Sequence, residues 1–521
     1  MPNPALPYPS QRAPVCAANM VATSQPLAVA AGLEALRRGG NAVDAALATA
    51  ITLTVVEPCS NGLGSDAFAI VWDGHALTGI NGSGRAPALW TPDYFAGRAS
   101  MPQFGWDAVT VPGAVSVWVE LSARFGVLPF EDLFENAIRY AEDGFQVGPR
   151  TAIHWQEAAT LYADYPDFGK HFLPPPAFGQ RVRLPDTGRS LREIAASNGQ
   201  SFYRGALAEE MEAAAIAAGG ALRASDLDAH RADWVTPLAQ PYRDVVLHEI
   251  PPNGQGLAAQ IALGILAHCA APAVDSADAM HLQIEAMKIA LRAAADHIAD
   301  PAYLETTPEA LLDSASLARA AAGITERAAP LPPRALPTSP DTVYLATADA
   351  GGMMVSFIQS NYYGFGSGIV VPGTGIALQN RGFGFVLDPA HPNCVGPRKR
   401  PFHTIIPGFV TADGAPHLAF GVMGGPMQAQ GHVQMMTRLF DYGQNPQAAS
   451  DAPRWQVMED FSVALEPGFP QAVAADLAAR GHRIRHETSN HAFGGAQLVM
   501  KTQHGYVAGS DHRKEGLAAG Y

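Results

Sequence analysis

The sequence has few of the features that mark disulfide-rich, metal-binding, nucleic-acid-binding or membrane proteins. It contains 4 cysteines in 521 residues and no Cys-x-x-Cys pair, which argues against zinc ribbons and a disulfide framework. Charged residues make up 16% of the chain and its net charge is −14, so it is a poor electrostatic partner for nucleic acid or anionic lipid. The longest apolar run, residues 42–56, contains Asp44 and is too short to cross a bilayer.

Targeting and metal-binding signals are missing as well. Residues 1–11 lack the basic start and apolar run of a secretory signal, which together with the widely separated cysteines predicts a cytoplasmic protein. His482, His486 and His491 are spaced too irregularly for a metal site. The sequence therefore predicts no cofactor, no metal, and neither a nucleic-acid nor a membrane partner.

Local patterns along the chain predict an α+β fold. Residues 18–75 have the pattern of strand, helix, helix and strand, in which Asn41 is a good N-cap for a buried helix that begins with residues 42–48 and is stopped by Pro58. Residues 113–300 are mainly helical, whereas 342–521 consists mostly of strands and turns. Strand-rich blocks on both sides of a helical region favour packed layers over a doubly wound parallel sheet.

One segment interrupts this pattern. Residues 323–341 are rich in proline and cannot hold a helix, which predicts an exposed, mobile linker. Immediately after it, residues 342–348 and 353–359 alternate like the two strands of a hairpin. A cut before Thr342 would give that residue a free α-amine that can take the proton of its own hydroxyl, so one residue would be nucleophile and base. Spacing alone is a weak signal, because most threonines at strand starts only begin a strand.

Further blocks occur along nearly the whole chain, in an order that matches one known family. Those before the linker are Gly39-Gly40-Asn41-Ala42-Val43-Asp44-Ala45-Ala46, Val55-Val56-Glu57-Pro58, Gly62-Leu63-Gly64-Ser65-Asp66, Val111-Pro112-Gly113 and Gly144-Phe145. Those after it are Asp341-Thr342-Val343-Tyr344, Gly364-Phe365-Gly366-Ser367-Gly368, Lys399-Arg400-Pro401, Gly424-Gly425 and Gly509-Ser510-Asp511-His512-Arg513. With these blocks the sequence resembles the γ-glutamyltransferase family of N-terminal-nucleophile hydrolases.

The resemblance implies a four-layer αββα sandwich and a precursor that cuts itself. The large chain would be 1–341, ending in the linker, and the small chain 342–521, beginning at the nucleophile Thr342. In this reaction the Thr342 hydroxyl attacks the Asp341 carbonyl, and water opens the resulting ester. Family positions further imply that Gly424 and Gly425 donate backbone N–H groups to the tetrahedral oxyanion, where glycine permits close approach. Ser360 stands where the family carries a threonine whose hydroxyl orients the nucleophile.

The residues that recognise a glutamyl group in this family are largely replaced. Ser83 stands where the family has the arginine that binds the substrate α-carboxylate, and Gly384 where it has the acid for the α-amino group. His403 and Thr404 replace a pair of serines that contact the carboxylate. A family asparagine near the nucleophile is replaced by Tyr362, or is matched by Asn361 if the alignment slips by one residue.

These replacements predict a remodelled pocket. Loss of the arginine and of the acid should each cost a few kcal/mol of discrimination, so a classical γ-glutamyl donor is not the expected substrate. The resemblance is closer to the branch that contains glutathione-hydrolase-like proteins and oxamate amidohydrolase. We predict that Arg381, His403 and Arg85 form an anion-binding corner, which would suit oxamate because its carboxylate lies directly beside the amide.

Three questions stay open at the level of sequence. One alternative is a true γ-glutamyltransferase or glutathione hydrolase with an altered pocket, and another, of a different class, is an uncleaved binding protein with the same fold. The acyl-enzyme could be released by water or by an amine acceptor, and the sequence does not choose between them. Two large-small pairs could associate as a dimer.

Overall fold

The computed structural model describes residues 12–330 and 342–521. Asp341 and most of the predicted linker therefore lie outside the described residues. The described start of that linker is anchored, because the backbone N–H of Ala328 donates to Arg480 O at 2.9 Å and that of Ala329 donates to a Glu285 carboxylate oxygen at 3.0 Å. Within the described ranges, no helix combines the length and the apolar character that a membrane span requires.

The strands gather into two large sheets and three small ones. In chain order the described strands are β1 (Val15–Ala17), β2 (Met20–Thr23), β3 (Asp66–Trp72), β4 (Leu77–Asn81), β5 (Phe145–Gln146), β6 (Arg181–Val182), β7 (Asp233–Val235), β8 (Leu238–Tyr242), β9 (Val245–Glu249), β10 (Val343–Ala348), β11 (Met354–Ser360), β12 (Val370–Val371), β13 (Ile376–Ala377), β14 (Gly408–Ala412), β15 (Ala415–Val422), β16 (Trp455–Val457), β17 (Val463–Leu465), β18 (Ile484–His486), β19 (Ala496–Thr502), β20 (Gly505–Ser510) and β21 (Leu517–Gly520).

The helices cover the outer faces of the large sheets. They are α1 (Pro26–Arg37), α2 (Ala42–Val56), α3 (Ala114–Phe125), α4 (Glu135–Asp143), α5 (Pro149–Leu161), α6 (Pro166–Phe172), α7 (Pro185–Ala196), α8 (Gln200–Arg204), α9 (Ala206–Ala217), α10 (Ala224–Ala229), α11 (Gly256–Ala267), α12 (Ala277–His297), α13 (Pro308–Leu311), α14 (Ser314–Ala322), α15 (Met427–Phe440), α16 (Pro446–Asp451) and α17 (Gln471–Ala479). Short 3₁₀ turns occur at Pro92–Phe95, Trp106–Ala108, Phe130–Phe134, Pro301–Tyr303, Arg381–Gly384 and His491–Phe493.

Both large sheets contain strands from before and after Thr342. One seven-stranded sheet has the order β1-β20-β19-β15-β14-β9-β8, and the other has the order β21-β2-β10-β11-β3-β4-β7. The predicted large and small chains would therefore be interleaved in each sheet rather than folded as separate domains. A cut before Thr342 would leave the two pieces held together by hydrogen bonds between strands.

Alternate residues of the central strands face different cores, which defines the four layers. In β10, Val343 and Leu345 pack in a helical core with α2 and α3, whereas Tyr344 and Ala346 pack in the core between the two sheets. Strand β15 repeats the alternation with the helical layer on the opposite side. This is the αββα sandwich that the sequence predicted, with period-two alternation filling two cores at once.

Two local predictions near the site are confirmed. Helix α2 begins after Asn41, whose side chain accepts from the backbone N–H groups of Val43 and Asp44, and every residue of the helix is buried. Strands β10 and β11 form the predicted antiparallel hairpin. Because β10 and β11 lie in the middle of the second large sheet, the residues at their open end are held rigidly.

Candidate active site

Thr342 lies directly before β10, at the edge of the central hairpin. It is 1% exposed, and its Oγ1 lies 3.3 Å from Ser360 Oγ at the end of β11. The Ser360 hydroxyl in turn accepts from the backbone N–H of Tyr362 at 2.8 Å. The backbone donor thus fixes the Ser360 hydroxyl, and the fixed Ser360 hydroxyl orients that of Thr342, which suits a nucleophile that must attack in one direction.

A second side chain, on helix α15, reaches the same hydroxyl. Gln428, in the first turn of α15, donates its Nε2–H to Thr342 Oγ1 at 3.3 Å. Its Oε1 accepts from the backbone N–H of Ile406 at 3.0 Å, which fixes the orientation of the amide. The Thr342 hydroxyl is therefore bracketed by a donor from α15 and an acceptor on β11.

Gly424 and Gly425 form the turn between β15 and α15. Their φ angles are +113° and +56°, in the left-handed region that favours glycine, and a Cβ on Gly424 would lie 3.0 Å from the Gly494 backbone. Among the described residues neither glycine N–H has an acceptor, and both precede a helix of 14 residues. Unpaired N–H groups at the positive end of a helix dipole can stabilise a developing oxyanion.

The glycine turn is tied to the pocket wall through Gln255. The Gln255 side-chain nitrogen donates to Gly425 O at 2.8 Å and to Thr404 O at 2.5 Å. Gln255 is itself held by its backbone N–H, which donates to His403 O at 2.9 Å. One buried amide thus connects the candidate oxyanion donors to the segment that carries His403 and Thr404.

Arg381 is a fully buried cation with spare hydrogen-bonding capacity. Its Nη1 donates to Thr404 Oγ1 at 2.8 Å, and its guanidinium lies over the Tyr362 ring, 4.6 Å from the ring centroid. Its Nε and Nη2 have no hydrogen-bond partner among the described residues, although Arg381 is only 1% exposed. Burial lowers the pKa of Arg381 to about 10, so the group stays charged at neutral pH. The side of a guanidinium group formed by Nε and Nη2 can donate two parallel hydrogen bonds to a carboxylate, and in Arg381 both of these nitrogens are unsatisfied.

A buried carboxylate and imidazole lie beside this arginine. Asp66 accepts from the backbone N–H groups of Gly113 and Gly84 at 2.9 and 3.2 Å, and its Oδ2 lies 3.1 Å from His403 Nε2. Burial raises the pKa of Asp66 to about 7, opposed by the nearby charge of Arg381. Burial and the charges of Arg381 and Arg400 hold the pKa of His403 well below its ordinary value, so His403 is neutral and donates its Nε2–H to Asp66.

A family comparison agrees with this geometry. A family model described as Gamma-glutamyltranspeptidase matches residues 28–521. The chain belongs to the γ-glutamyltranspeptidase family. The predicted resemblance is thereby confirmed, together with the N-terminal-nucleophile hydrolase fold and the prediction that the protein is an enzyme of the hydrolase class.

Full-length relatives include proenzymes and a solved acylase. The glutathione hydrolase-like YwrD proenzyme of Bacillus subtilis is 34% identical over 516 residues, covering 96% of this chain and 98% of that protein. The oxamate amidohydrolase proenzyme of Klebsiella pneumoniae is 35% identical over 516 residues, covering 95% and 97%. The crystal structure of cephalosporin acylase from Bacillus halodurans superposes with a TM-score of 0.96 at 46% identity, covering 100% of this chain and 99% of that one.

The other predicted pocket residues of this γ-glutamyltranspeptidase family member have structural partners. Ser83 is buried, and its hydroxyl donates to Asn81 Oδ1 at 2.7 Å. The Asn361 side chain is engaged by Ser65 at 2.8 Å, so Tyr362 is the residue of this pair that contacts Arg381. Arg85 is part-exposed and pairs with Asp300 at 3.3 Å and Asp233 at 3.6 Å, so the structure gives it acidic partners outside the predicted corner.

In the part of the chain that the structure describes, two groups that contain histidines come close enough to suggest metal ligands, although their sequence spacing gave no such signal. His281, Glu285 and His482 lie together in the core, but the Lys288 ammonium donates to both Glu285 and His482, at 2.8 and 3.2 Å. The side-chain ammonium group of Lys288 therefore already supplies the positive charge that a metal ion would bring.

The second group is His154, Glu157 and His491, which line a cavity of about 320 Å³. Here the Arg150 guanidinium lies 3.0 Å from His491 Nε2, and Glu157 is largely exposed. Because the Arg150 guanidinium lies against His491 and the Glu157 side chain is exposed to solvent, this group is a poor metal site. The sequence argument from irregular spacing was incomplete, since each group joins residues from distant parts of the chain.

Sequence reasoning missed three residues of the site. Asp66 was noticed only as part of a motif, and Gln255 and Gln428 were not singled out. A glutamine four residues after the first glycine of the turn was the available signal for Gln428, because the first turn of a helix brings that side chain back towards the turn. Gln255 and Asp66 reach the site only through long-range folding.

Proposed function

We propose that this chain is the precursor of an amidohydrolase that cleaves itself before Thr342 and then uses the Thr342 hydroxyl to hydrolyse a small amide with a carboxylate in its acyl part. The single observation that carries this proposal is the position of the Thr342 hydroxyl. It lies between Ser360 and Gln428, on a buried strand start beside a helix N-terminus.

In the proposed reaction the free α-amine of Thr342 takes the proton from Oγ1 as the oxygen attacks the amide carbon. The carbonyl oxygen becomes an oxyanion that accepts from the N–H groups of Gly424 and Gly425. The carbon–nitrogen bond then breaks, the amine leaves with the proton, and an ester to Thr342 remains. Water adds to the ester carbon and gives one proton to the α-amine, the bond from that carbon to Oγ1 breaks, and Oγ1 takes the proton back as the acid is released.

The same nucleophile would carry out self-processing. Thr342 Oγ1 attacks the carbonyl carbon of residue 341, its proton passes to the Thr342 nitrogen as the peptide bond breaks, and water then opens the resulting ester to give the carboxylic acid of residue 341 and the Thr342 hydroxyl. The α-amine that appears in this step is the base for every later turnover. Processing and catalysis therefore share one nucleophile, so a single substitution should abolish both.

The unsatisfied Nε and Nη2 of Arg381 support an anionic acyl group. A substrate carboxylate that accepts two parallel hydrogen bonds from Nε and Nη2 would satisfy both buried donors. It would also neutralise the charge of the guanidinium. The Klebsiella relative is named for oxamate, an amide with an adjacent carboxylate, and the Bacillus halodurans neighbour for a cephalosporin. For this chain we infer a substrate whose acyl group carries a carboxylate. The series of amides described below tests the length of that acyl group.

Asp66 keeps a second candidate open. A γ-glutamyl donor carries an ammonium beside its carboxylate, and a buried carboxylate close to Arg381 offers that ammonium a partner. This would be a γ-glutamyltransferase or glutathione hydrolase in which Asp66 and Arg381 take over from the residues lost at Gly384 and Ser83. No described residue favours the uncleaved binding protein.

Processing is tested by denaturing electrophoresis and intact mass of the purified protein. We expect two chains in the wild type, the smaller beginning at Thr342, and one uncut chain of 54.8 kDa in Thr342→Ala. Thr342→Ser is the matched control, because it keeps a hydroxyl and should still be cut. A single chain in the wild type would overturn the proposal and return the binding protein to first place.

The substrate is tested with amides that differ only in charge. Glutaryl-p-nitroanilide has a carboxylate, its valeryl analogue has a methyl group in that place, and the γ-glutamyl analogue has both a carboxylate and an ammonium. Oxamate and isobutyramide form the corresponding short pair. We expect the anionic member of one pair to be hydrolysed at least tenfold faster than its neutral partner. Equal rates within both pairs would refute the anion site, and a preference for the γ-glutamyl anilide would establish the second candidate.

A further inference from the structure

We propose that binding of a substrate carboxylate at Arg381 is coupled to the uptake of one proton by the Asp66–His403 pair. This inference rests on the proposed function of Arg381. It adds a specificity element, because the pair would determine which net charge the site accepts. A carboxylate alone would require a proton, whereas a substrate with a carboxylate and an ammonium would not.

The strand register brings Asp66 to the catalytic end of the hairpin. Asp66 is the first residue of β3 and is paired directly with Ser360 of β11, the residue whose hydroxyl contacts Thr342. Directly paired residues on antiparallel strands have Cβ atoms roughly 4.5–5.5 Å apart and point to the same side of the sheet. The Asp66 side chain therefore lies on the same side of the sheet as that of Ser360, at the end of the hairpin that carries Thr342.

The charges around Asp66 leave it only partly neutralised. The groups that face it are His403, Arg381, Arg400 and the Tyr203 hydroxyl. Arg400 is already engaged, since it pairs with Asp233 and its Nε donates to Ser83 O at 3.0 Å. His403 is neutral, and the Tyr203 hydroxyl stays protonated because burial raises its pKa well above the ordinary value. Arg381 is thus the cation that balances Asp66.

A substrate carboxylate would compete for that one cation. With Asp66 ionised, two carboxylates and one guanidinium would occupy a site in which all the protein groups are buried, and a buried anion without compensation costs several kcal/mol. Adding one proton from solvent to the Asp66–His403 pair removes this excess charge, and no other bond is made or broken. Burial already raises the pKa of Asp66 to about 7, so only a modest further increase is needed for uptake at neutral pH.

The direction of the pH dependence follows from this linkage. Below about pH 7 the pair already carries the proton, and the anionic substrate binds without further uptake. Above that pH each bound carboxylate must draw one proton from solvent, so its apparent affinity falls about tenfold per pH unit until the pKa of the occupied site is passed. A neutral substrate adds no charge and shows no such fall.

The experiment measures kcat/KM of the mature enzyme between pH 6 and pH 9 for the two members of each charge-matched pair. The Thr342 α-amine titrates in the same range, but it affects both members equally, so the ratio of anionic to neutral substrate isolates the coupling. We expect that ratio to fall about tenfold per pH unit above pH 7 in the wild type. If the enzyme accepts the γ-glutamyl anilide, its ratio to the valeryl anilide should stay flat, because the ammonium compensates Asp66.

Two variants identify the group that takes the proton. In Asp66→Asn the ratio should become independent of pH, since an amide keeps the shape but does not titrate. Glu249→Gln is the matched control: Glu249 and His432 also form a fully buried carboxylate–histidine pair, at 2.6 Å, but outside the site. That variant should keep the wild-type slope.

The possible outcomes separate this inference from the proposed function. A wild-type ratio that favours the anion but does not change with pH would overturn the coupling and leave the anion site intact. A ratio near one at every pH would mean that the anion site itself is wrong, and the coupling would fall with it. If Asp66→Asn does not fold, the wild-type slope alone decides: about tenfold per pH unit supports the coupling, and a flat ratio refutes it.

Discussion

Arg381 and Arg513 are two buried arginines with very different surroundings. All three guanidinium nitrogens of Arg513 are bonded, to Glu466, Asp511 and the carbonyl oxygens of residues 450 and 452, at 2.5–3.1 Å. Among the described residues, Arg381 has a hydrogen-bond partner for Nη1 alone, the hydroxyl of Thr404. Both side chains are almost fully buried, so the difference lies in how completely the charge is paired.

The carboxylates beside these arginines differ in the same way. Asp511 accepts from Arg454, Arg513 and the backbone N–H of Ala496, and the arginine charges hold its pKa far below the ordinary value despite burial. Asp66 has no arginine within hydrogen-bonding distance among the described residues, and burial raises its pKa to about 7. A fully paired cluster stabilises the fold, whereas an incompletely paired one keeps binding capacity for a ligand.

The largest effect should come from breaking the paired cluster. Asp511→Asn leaves Arg454 and Arg513 without their shared counter-ion, and we expect a loss of about 3–5 kcal/mol in the free energy of unfolding. Urea and thermal unfolding at pH 7 measure it. Asp66→Asn is the comparison, and it should cost less than 1 kcal/mol, because a neutral group at that position suits the site. Equal losses in the two variants would contradict the distinction between the clusters.

Removal of the incompletely paired arginine should affect function rather than stability. In Arg381→Met we expect kcat/KM for the preferred anionic amide to fall by an amount that corresponds to a loss of about 2–5 kcal/mol in transition-state stabilisation. The kcat/KM of the neutral partner should change less than about threefold. Without Arg381, Asp66 can take up a proton and become neutral, and two unsatisfied guanidinium donors are no longer buried, so the melting temperature at pH 7 should hold or rise. Arg513→Met is the matched substitution and should lower it. A fall in melting temperature for Arg381→Met with unchanged selectivity would assign Arg381 a structural role.

The two aspartates should also give opposite pH dependence of stability. The pKa of Asp511 is depressed in the fold, so its contribution is present above the unfolded pKa of about 3.9 and is lost as the pH falls below it. The pKa of Asp66 is raised to about 7, so folding loses stability as the pH rises from about 4 to about 7 and changes no further above it.

Unfolding of the two asparagine variants as a function of pH measures these contributions. Asp511→Asn should flatten the acid limb below pH 4, and Asp66→Asn should flatten the decline between pH 4 and pH 7. An Asp66→Asn profile parallel to the wild type between pH 4 and pH 7 would show that Asp66 stays ionised in the fold.

Much of the framework of this site was predictable from local sequence. The buried α2, the β10–β11 hairpin and the glycine turn before α15 depend on caps, alternation and conformational freedom within a few residues. The family resemblance then identified Thr342, Ser360 and the glycines as candidates. All of these lie on, or directly beside, elements whose local pattern is strong.

The pairing of charges was not predictable in the same way. Arg85 and Arg381 stand in similar polar contexts in the sequence, yet folding gives Arg85 ion pairs with Asp300 and Asp233, whereas no described carboxylate forms an ion pair or a hydrogen bond with Arg381. Gln255 reaches the site because Gly254 pairs with His403 in an isolated bridge between distant segments. Such contacts depend on tertiary packing, which single-residue patterns do not encode.

The smallest expected effect tests the one bond that positions Arg381. Thr404 Oγ1 accepts from Nη1 at 2.8 Å, so Thr404→Val keeps the shape of the side chain and removes the acceptor. A third guanidinium nitrogen would then lack a partner, and the guanidinium would be less well oriented. We expect kcat/KM for the anionic amide to fall about fivefold, which corresponds to about 1 kcal/mol, and we expect most of this fall to come from a higher KM. Thr404→Ser, which keeps the hydroxyl, should stay within twofold of the wild type. If kcat/KM for the anionic amide falls equally in the valine and serine variants, the hydrogen bond to Thr404 does not position Arg381. The contacts that link Arg381 through Thr404 and Gln255 to Gly425 would then act through side-chain packing rather than through hydrogen bonds.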